Sequence, residues 1–194
     1  MTEMHHALIA ARAEFYERAQ PTPEFLKYVG RNGLELDRIR GFAGATGILA
    51  IVDCGGGRFD FEAPGEMIQA FICEAYAEDG ESVIDLVAWP PDRPKHVMTM
   101  FGRAPLLGLW EAMNPATYYG GKPLQMHRTP IEWLQSGCRG AVIVRPTLAA
   151  RLLFDIDGAI AGRDRQHARE LLGLLRTVVS ADKVVWPEDQ TRVA

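Results

Sequence analysis

Apolar runs in this chain stop far short of the ~18–20 residues that span a bilayer; long ones such as residues 48–52 and 141–144 are of strand length. That excludes a transmembrane-helix reading. Cysteine is scarce: Cys54, Cys73 and Cys138 are odd in number, widely spaced and form no Cys-x-x-Cys pair. A secreted disulfide framework and a zinc ribbon are therefore excluded, and all three are expected as reduced thiols. The five histidines include no i, i+4 helical pair with a carboxylate between, so a metalloprotease-type zinc site has no basis, and no metal or cofactor is expected. The N-terminal residues Glu3, His5 and His6 precede only a short apolar patch. They lack the basic start and continuous apolar stretch of a signal peptide, so a cytoplasmic protein is expected.

The chain is apolar in 47% and charged in 24% of its 194 residues, which places it among globular sequences rather than disordered ones. No fixed-period repeat or long linker divides it, and one domain covering residues 1–194 is expected. Residues 3–19 set Met4, Leu8, Ala11 and Phe15 at three- and four-residue spacing, the stripe of an amphipathic helix ended by Pro21 and Pro23. A short helix over residues 24–29 follows, capped by Thr22 and released at Gly30. A glycine-rich link over residues 41–47 then opens into a β-branched strand over 48–53, a glycine turn at 55–57 and an alternating strand over 58–62. Residues 83–89 read as a strand stopped by Pro90 and Pro91, and 97–101 as a shorter one. Residues 67–78 fit helical spacing, yet Asp79-Gly80 before a strong strand favours a hairpin.

Helices are predicted for residues 104–113, 129–136, 147–154 and 163–179, with a strand at 141–144. Thr129-Pro130-Ile131-Glu132 carries a capping hydroxyl, a first-turn proline and an early acid. Strands first and helices later predict an α+β fold: an antiparallel sheet built mainly from residues 47–101, covered by N-terminal and C-terminal helices.

Four short motifs resemble catalytic or phosphate-binding signatures. Leu152-Leu153-Phe154-Asp155-Ile156-Asp157-Gly158 resembles the first motif of the haloacid-dehalogenase phosphatases, which implies a nucleophilic aspartate at the end of an apolar strand. Only 37 residues follow Asp157, and the apolar residues before Asp155 continue a predicted helix, so the motif lacks its setting. The same Asp-x-Asp is similar to the acidic pair of toprim domains, but the strand preceding it ends in Arg145 where that family places a glutamate. Ser136-Gly137-Cys138-Arg139-Gly140 resembles the cysteine loop of caspases, with a helix leading in where a strand is required. The glycines at 55–57 and at 41, 44 and 47 resemble phosphate loops without the lysine and hydroxyl that follow one; they read as turns.

Charge is unevenly spread. Residues 91–151 hold eight Lys and Arg against three acids, a net +5, inside a chain whose formal net charge is −4. Within that stretch Tyr118-Tyr119-Gly120-Gly121-Lys122 brings aromatic faces, flexible backbone and a cation together, just before His127-Arg128 at a helix entry. Tyr118, Tyr119, Lys122, His127 and Arg128 are the candidate anion-binding residues, and no catalytic residue is assigned. The expected function is a non-catalytic binding or regulatory module that recognises a nucleotide, a nucleic-acid segment or an acidic protein. The competing expectation is a small metal-dependent enzyme of phosphate chemistry, using Asp155 and Asp157 or Asp53, Asp60 and Glu62 as ligands.

Overall fold

The computed structural model describes residues 2–178. Three helices lead the chain: α1 (Thr2–Arg18), α2 (Pro23–Arg31) and α3 (Leu36–Ala43). In α2 the Thr22 side chain accepts the N–H of Phe25, so a hydroxyl and a proline open the helix together. The predicted link at 41–47 is partly helical instead, because α3 absorbs Gly41 and buries Ile39. The chain then turns at Gly44 (φ 62°), where a side chain would meet the Glu74 carboxylate and the Tyr76 hydroxyl.

Five strands follow: β1 (Thr46–Gly55), β2 (Arg58–Asp60), β3 (Met67–Tyr76), β4 (Val83–Trp89) and β5 (Met98–Thr99). They close into a barrel in the order β1-β2-β5-β4-β3. Its pairings are antiparallel except β2 with β5, so the sheet expected from residues 47–101 is present and carries one parallel contact. Residues 67–76 are the strand of a hairpin, with Phe71 opposite Trp89 across β4 and opposite Ile48 across β1.

Both faces of β1, β3 and β4 are buried. Leu49, Ile51, Ala70, Ile72, Leu86 and Ala88 line a cluster with Phe15 of α1 and with Phe59 and Met98. Their neighbours Ile48, Phe71, Cys73, Val87 and Trp89 face outward into a second cluster with α2, α3 and the C-terminal half. Burial on two faces yields continuous apolar runs rather than alternation, which is why helical spacing and strand content overlapped at residues 67–78. At one end of the barrel, the Arg12 guanidinium and the Tyr16 hydroxyl of α1 donate to Glu74 at 2.7 and 2.6 Å.

The C-terminal half carries β6 (Leu106–Leu107), α4 (Leu109–Met113), a 3-10 segment (Pro115–Gly121), β7 (Leu124–His127), α5 (Pro130–Gln135), β8 (Ala141–Ile143), α6 (Pro146–Asp155), β9 (Ile160–Ala161) and α7 (Arg165–Arg176). Its sheet has the order β6-β8-β7-β9, with β6 antiparallel to β8 and the other pairs parallel. The helix predicted over residues 104–113 is shorter: Leu106 and Leu107 are strand, and Gly108 at φ 78° separates them from α4. The helix predicted over 163–179 is α7, with Val179 outside the described residues.

Candidate anion cleft between barrel and second sheet

A cavity of about 650 Å³ opens where the barrel meets the second sheet. Its floor on the barrel side is glycine: Gly56 and Gly57 of the β1–β2 turn, and Gly102 after β5. The first two continue a run of left-handed backbone, Gly55 to Gly57, that only glycine adopts without strain. Guanidinium groups occupy the space where side chains would be. A Cβ on Gly57 would lie 3.1 Å from Arg145 Nη1, and one on Gly102 would lie 3.1 Å from Arg58 Nη1.

These cations are fixed without being neutralised. Arg145, which precedes α6, donates from Nη1 to the carbonyls of Gly56 at 2.7 Å and Gly57 at 3.3 Å. Arg58 donates from Nε to the Met100 carbonyl at 2.9 Å, and Nη2 donates to the same oxygen. Lys95 lines the cleft from the barrel loop between β4 and β5. Among the described residues, no carboxylate lies within ion-pair distance of Arg58, Lys95 or Arg145. Arg128 completes the basic lining but is compensated by Asp164 at 3.0 Å and Glu170 at 3.2 Å. The first turn of α6 adds Thr147 and Leu148, and that helix start has no side-chain cap.

Buried polar groups hold the two barrel loops in place. Asp85 is fully buried and accepts the N–H groups of Leu86, Phe101, Arg103 and Ala104 at 2.6–3.2 Å, which pins the loop containing Gly102. Burial raises its carboxyl above the ordinary range, against the pull of those four donors. Asp53 accepts the Gly55 N–H at 2.9 Å and meets His96 Nε2 at 2.7 Å, tying the glycine turn to the loop that carries Lys95. The Gly55 N–H first, and His96 second, hold the Asp53 carboxyl below its usual value.

Of the five residues singled out by sequence, the structure brings one, Arg128, to this cleft. Tyr118 donates its hydroxyl to the Ala112 carbonyl at 2.7 Å and packs its ring on Gly158, where a Cβ would overlap it. Tyr119 is 84% exposed and Lys122 is exposed. His127 Nε2 lies 2.8 Å from the Arg139 carbonyl, and burial lowers its proton affinity. Lys95 and Arg145 belong to the basic stretch that charge counting isolated. Arg58 and the glycines at 56 and 57 were read as strand and turn, and only folded contacts with distant residues, Met100 for Arg58 and Arg145 for the glycines, reveal their second role.

Comparison of the chain with known protein families, curated proteins and solved structures finds no match.

Other polar groups do not assemble a competing centre. Among the described residues no three His, Cys, Asp or Glu side chains converge with metal-ligand geometry. Asp155 is the last residue of α6 rather than the end of a strand, and Asp60 is engaged with the Glu62 N–H. Cys138 is fully buried at the exit of α5, and desolvation pushes its thiol up to about 12, which disfavours the reactive thiolate. A cavity of about 490 Å³ lies beside Glu74 at the barrel end. That carboxylate already accepts from Arg12, Tyr16, Tyr76 and the Ala45 N–H, which leaves it no lone pair for a ligand.

Proposed function

We propose that this protein is a non-catalytic binding module whose inter-sheet cleft takes a small anionic ligand. The observation that carries the reading is the pair Lys95 and Arg145, two cations that line one cavity with no carboxylate partner among the described residues, with the Arg58 guanidinium beside Gly102 of its floor. Like charges crowded at a concave surface repel, and their gathering is offset when an anion occupies the space between them. Carbonyl partners aim Arg145 and Arg58 without cancelling their charge, so little ordering is required on binding. A cavity of about 650 Å³ is of small-molecule size. Among the expected partners, this favours a nucleotide-sized anion over an acidic protein or a long nucleic-acid segment, both of which require an extended surface. The overall charge of −4 also disfavours non-specific binding to a polyanion.

The test is equilibrium binding of inorganic phosphate, nucleotides, short single strands and acidic peptides to the wild-type chain and to a Lys95→Gln, Arg145→Gln double variant. The expected outcome is salt-sensitive binding of the small anions that weakens about tenfold or more in the variant, since charge-assisted hydrogen bonds contribute roughly 1.5–3 kcal/mol each. Equal binding by both proteins, or no binding of any anion to the wild type, contradicts the reading.

A further inference from the structure

The cleft carries apolar side chains as well as charge, and their placement narrows the ligand. On the barrel wall Val97 lines the cavity two residues from Lys95, and on the opposite wall Leu148 lines it three residues from Arg145. Each wall thus pairs one cation with one apolar side chain. Leu148 is 40% exposed although it belongs to a helix that buries Ala149, Ala150 and Leu153. Val97 is partly buried against the core, whereas Leu148 is left exposed at the cleft; a site for inorganic phosphate or for a sugar phosphate has no use for that aliphatic group, whose exposure to water is unfavourable until something apolar covers it.

Resting on the anion-binding reading of this cleft, we infer that its ligand is a nucleoside monophosphate or a close analogue: a phosphate ester that also bears a flat, largely apolar ring. The ring lies between Val97 and Leu148, and the phosphate lies toward Arg145, Lys95 and the glycine turn. Phosphate suits the basic end because several donors line it from different elements: the remaining N–H groups of Arg145, the Lys95 ammonium, and the hydroxyl of Thr147 at the start of α6. Three terminal oxygens of a phosphate monoester can accept from all of these at once, whereas a carboxylate offers two in one plane. At Gly56 nothing lies within 4 Å of where a Cβ would be, so that part of the floor admits the ligand close to the backbone.

The experiment is isothermal titration of the full chain at low salt with the four common ribonucleoside 5′-monophosphates, ribose 5-phosphate and inorganic phosphate. It is repeated with Leu148→Ser and with Arg145→Gln after circular-dichroism melting has established that each folds. At least one nucleoside monophosphate is expected to bind about tenfold or more tightly than ribose 5-phosphate, the scale of burying one large aliphatic contact. Leu148→Ser is expected to remove that advantage while leaving ribose 5-phosphate affinity unchanged, and Arg145→Gln to weaken both. If ribose 5-phosphate binds as tightly as every nucleotide, or Leu148→Ser weakens both ligands equally, the ring site is wrong and the anion site stands. If no phosphate compound binds, the anion-binding reading falls and this inference falls with it. Should a folded Leu148→Ser variant not be obtained, Val97→Ser tests the opposite wall by the same comparison.

Discussion

Asp85 and His167 illustrate what single buried side chains do here. Among the described residues Asp85 has no cation partner, and it accepts from four backbone N–H groups, three of them in the loop over residues 101–104. Asp85→Asn replaces two acceptor oxygens by one and brings an NH₂ against N–H donors, leaving buried groups unpaired. We expect a loss of about 1–3 kcal/mol in urea unfolding, together with weaker anion binding because Gly102 and Arg58 depend on that loop. A variant with wild-type stability would show that the loop holds itself. His167 is buried at the first turn of α7, and its Nδ1 accepts the Arg163 N–H at 3.2 Å, so that nitrogen carries no proton. Burial first, and the nearby Arg128 second, lower its pKa. The folded state therefore binds a proton less readily than the unfolded chain. Stability from this group is complete above the ordinary histidine value of about 6.5 and is lost as pH falls through the window below it. Relative to His167→Asn, the wild type should lose stability as pH falls below about 6.5; parallel curves for the two proteins would contradict the assignment.

At the scale of elements, local signals were most legible where side chains bond to their own helix. The start of α5 follows its sequence pattern: Thr129 accepts the Glu132 N–H at 3.3 Å and Glu132 accepts the Arg128 N–H at 2.9 Å. Thr129→Ala is expected to cost about 1 kcal/mol, measured by thermal or urea unfolding. Elements decided by distant packing were less legible. Residues 104–107 have the composition of a helix, but Ala104, Leu106 and Leu107 are fully or almost fully buried and β6 pairs with β8, so tertiary burial overrides local preference. Gly108 makes that junction possible, because its φ is 78° and a Cβ would strike the Gly140 carbonyl. Gly108→Ala should destabilise by more than about 1 kcal/mol, and a neutral effect would mean that β6 and β8 separate without cost. The parallel pairings of β7, β8 and β9 left no periodic trace either, since their strands are only two to four residues long.

Across the whole molecule, the α+β arrangement and the sheet from residues 47–101 followed from the order and composition of the strands. The sheet's closure into a barrel did not, because closure depends on β2 meeting β5 in a pairing of one register position. The candidate site was legible only as a regional charge excess. Lys95, Arg128 and Arg145 come from that basic stretch, while Arg58 and the glycine turn come from the acidic first half; closure of the barrel brings Lys95 to the glycine turn, and docking on the second sheet adds Arg128 and Arg145. No helix among the described residues is long and apolar enough to cross a membrane. The docking of the two halves makes the cleft a joint product, so a ligand bound there should stabilise the native state as a whole. The most direct measurement is an amide ¹H–¹⁵N chemical-shift titration with inorganic phosphate and a nucleoside monophosphate. We predict concentration-dependent shifts centred on Gly56, Gly57, Gly102, Thr147 and Leu148; shifts confined to residues 118–122, or no saturable shift at all, would contradict an anion site in this cleft.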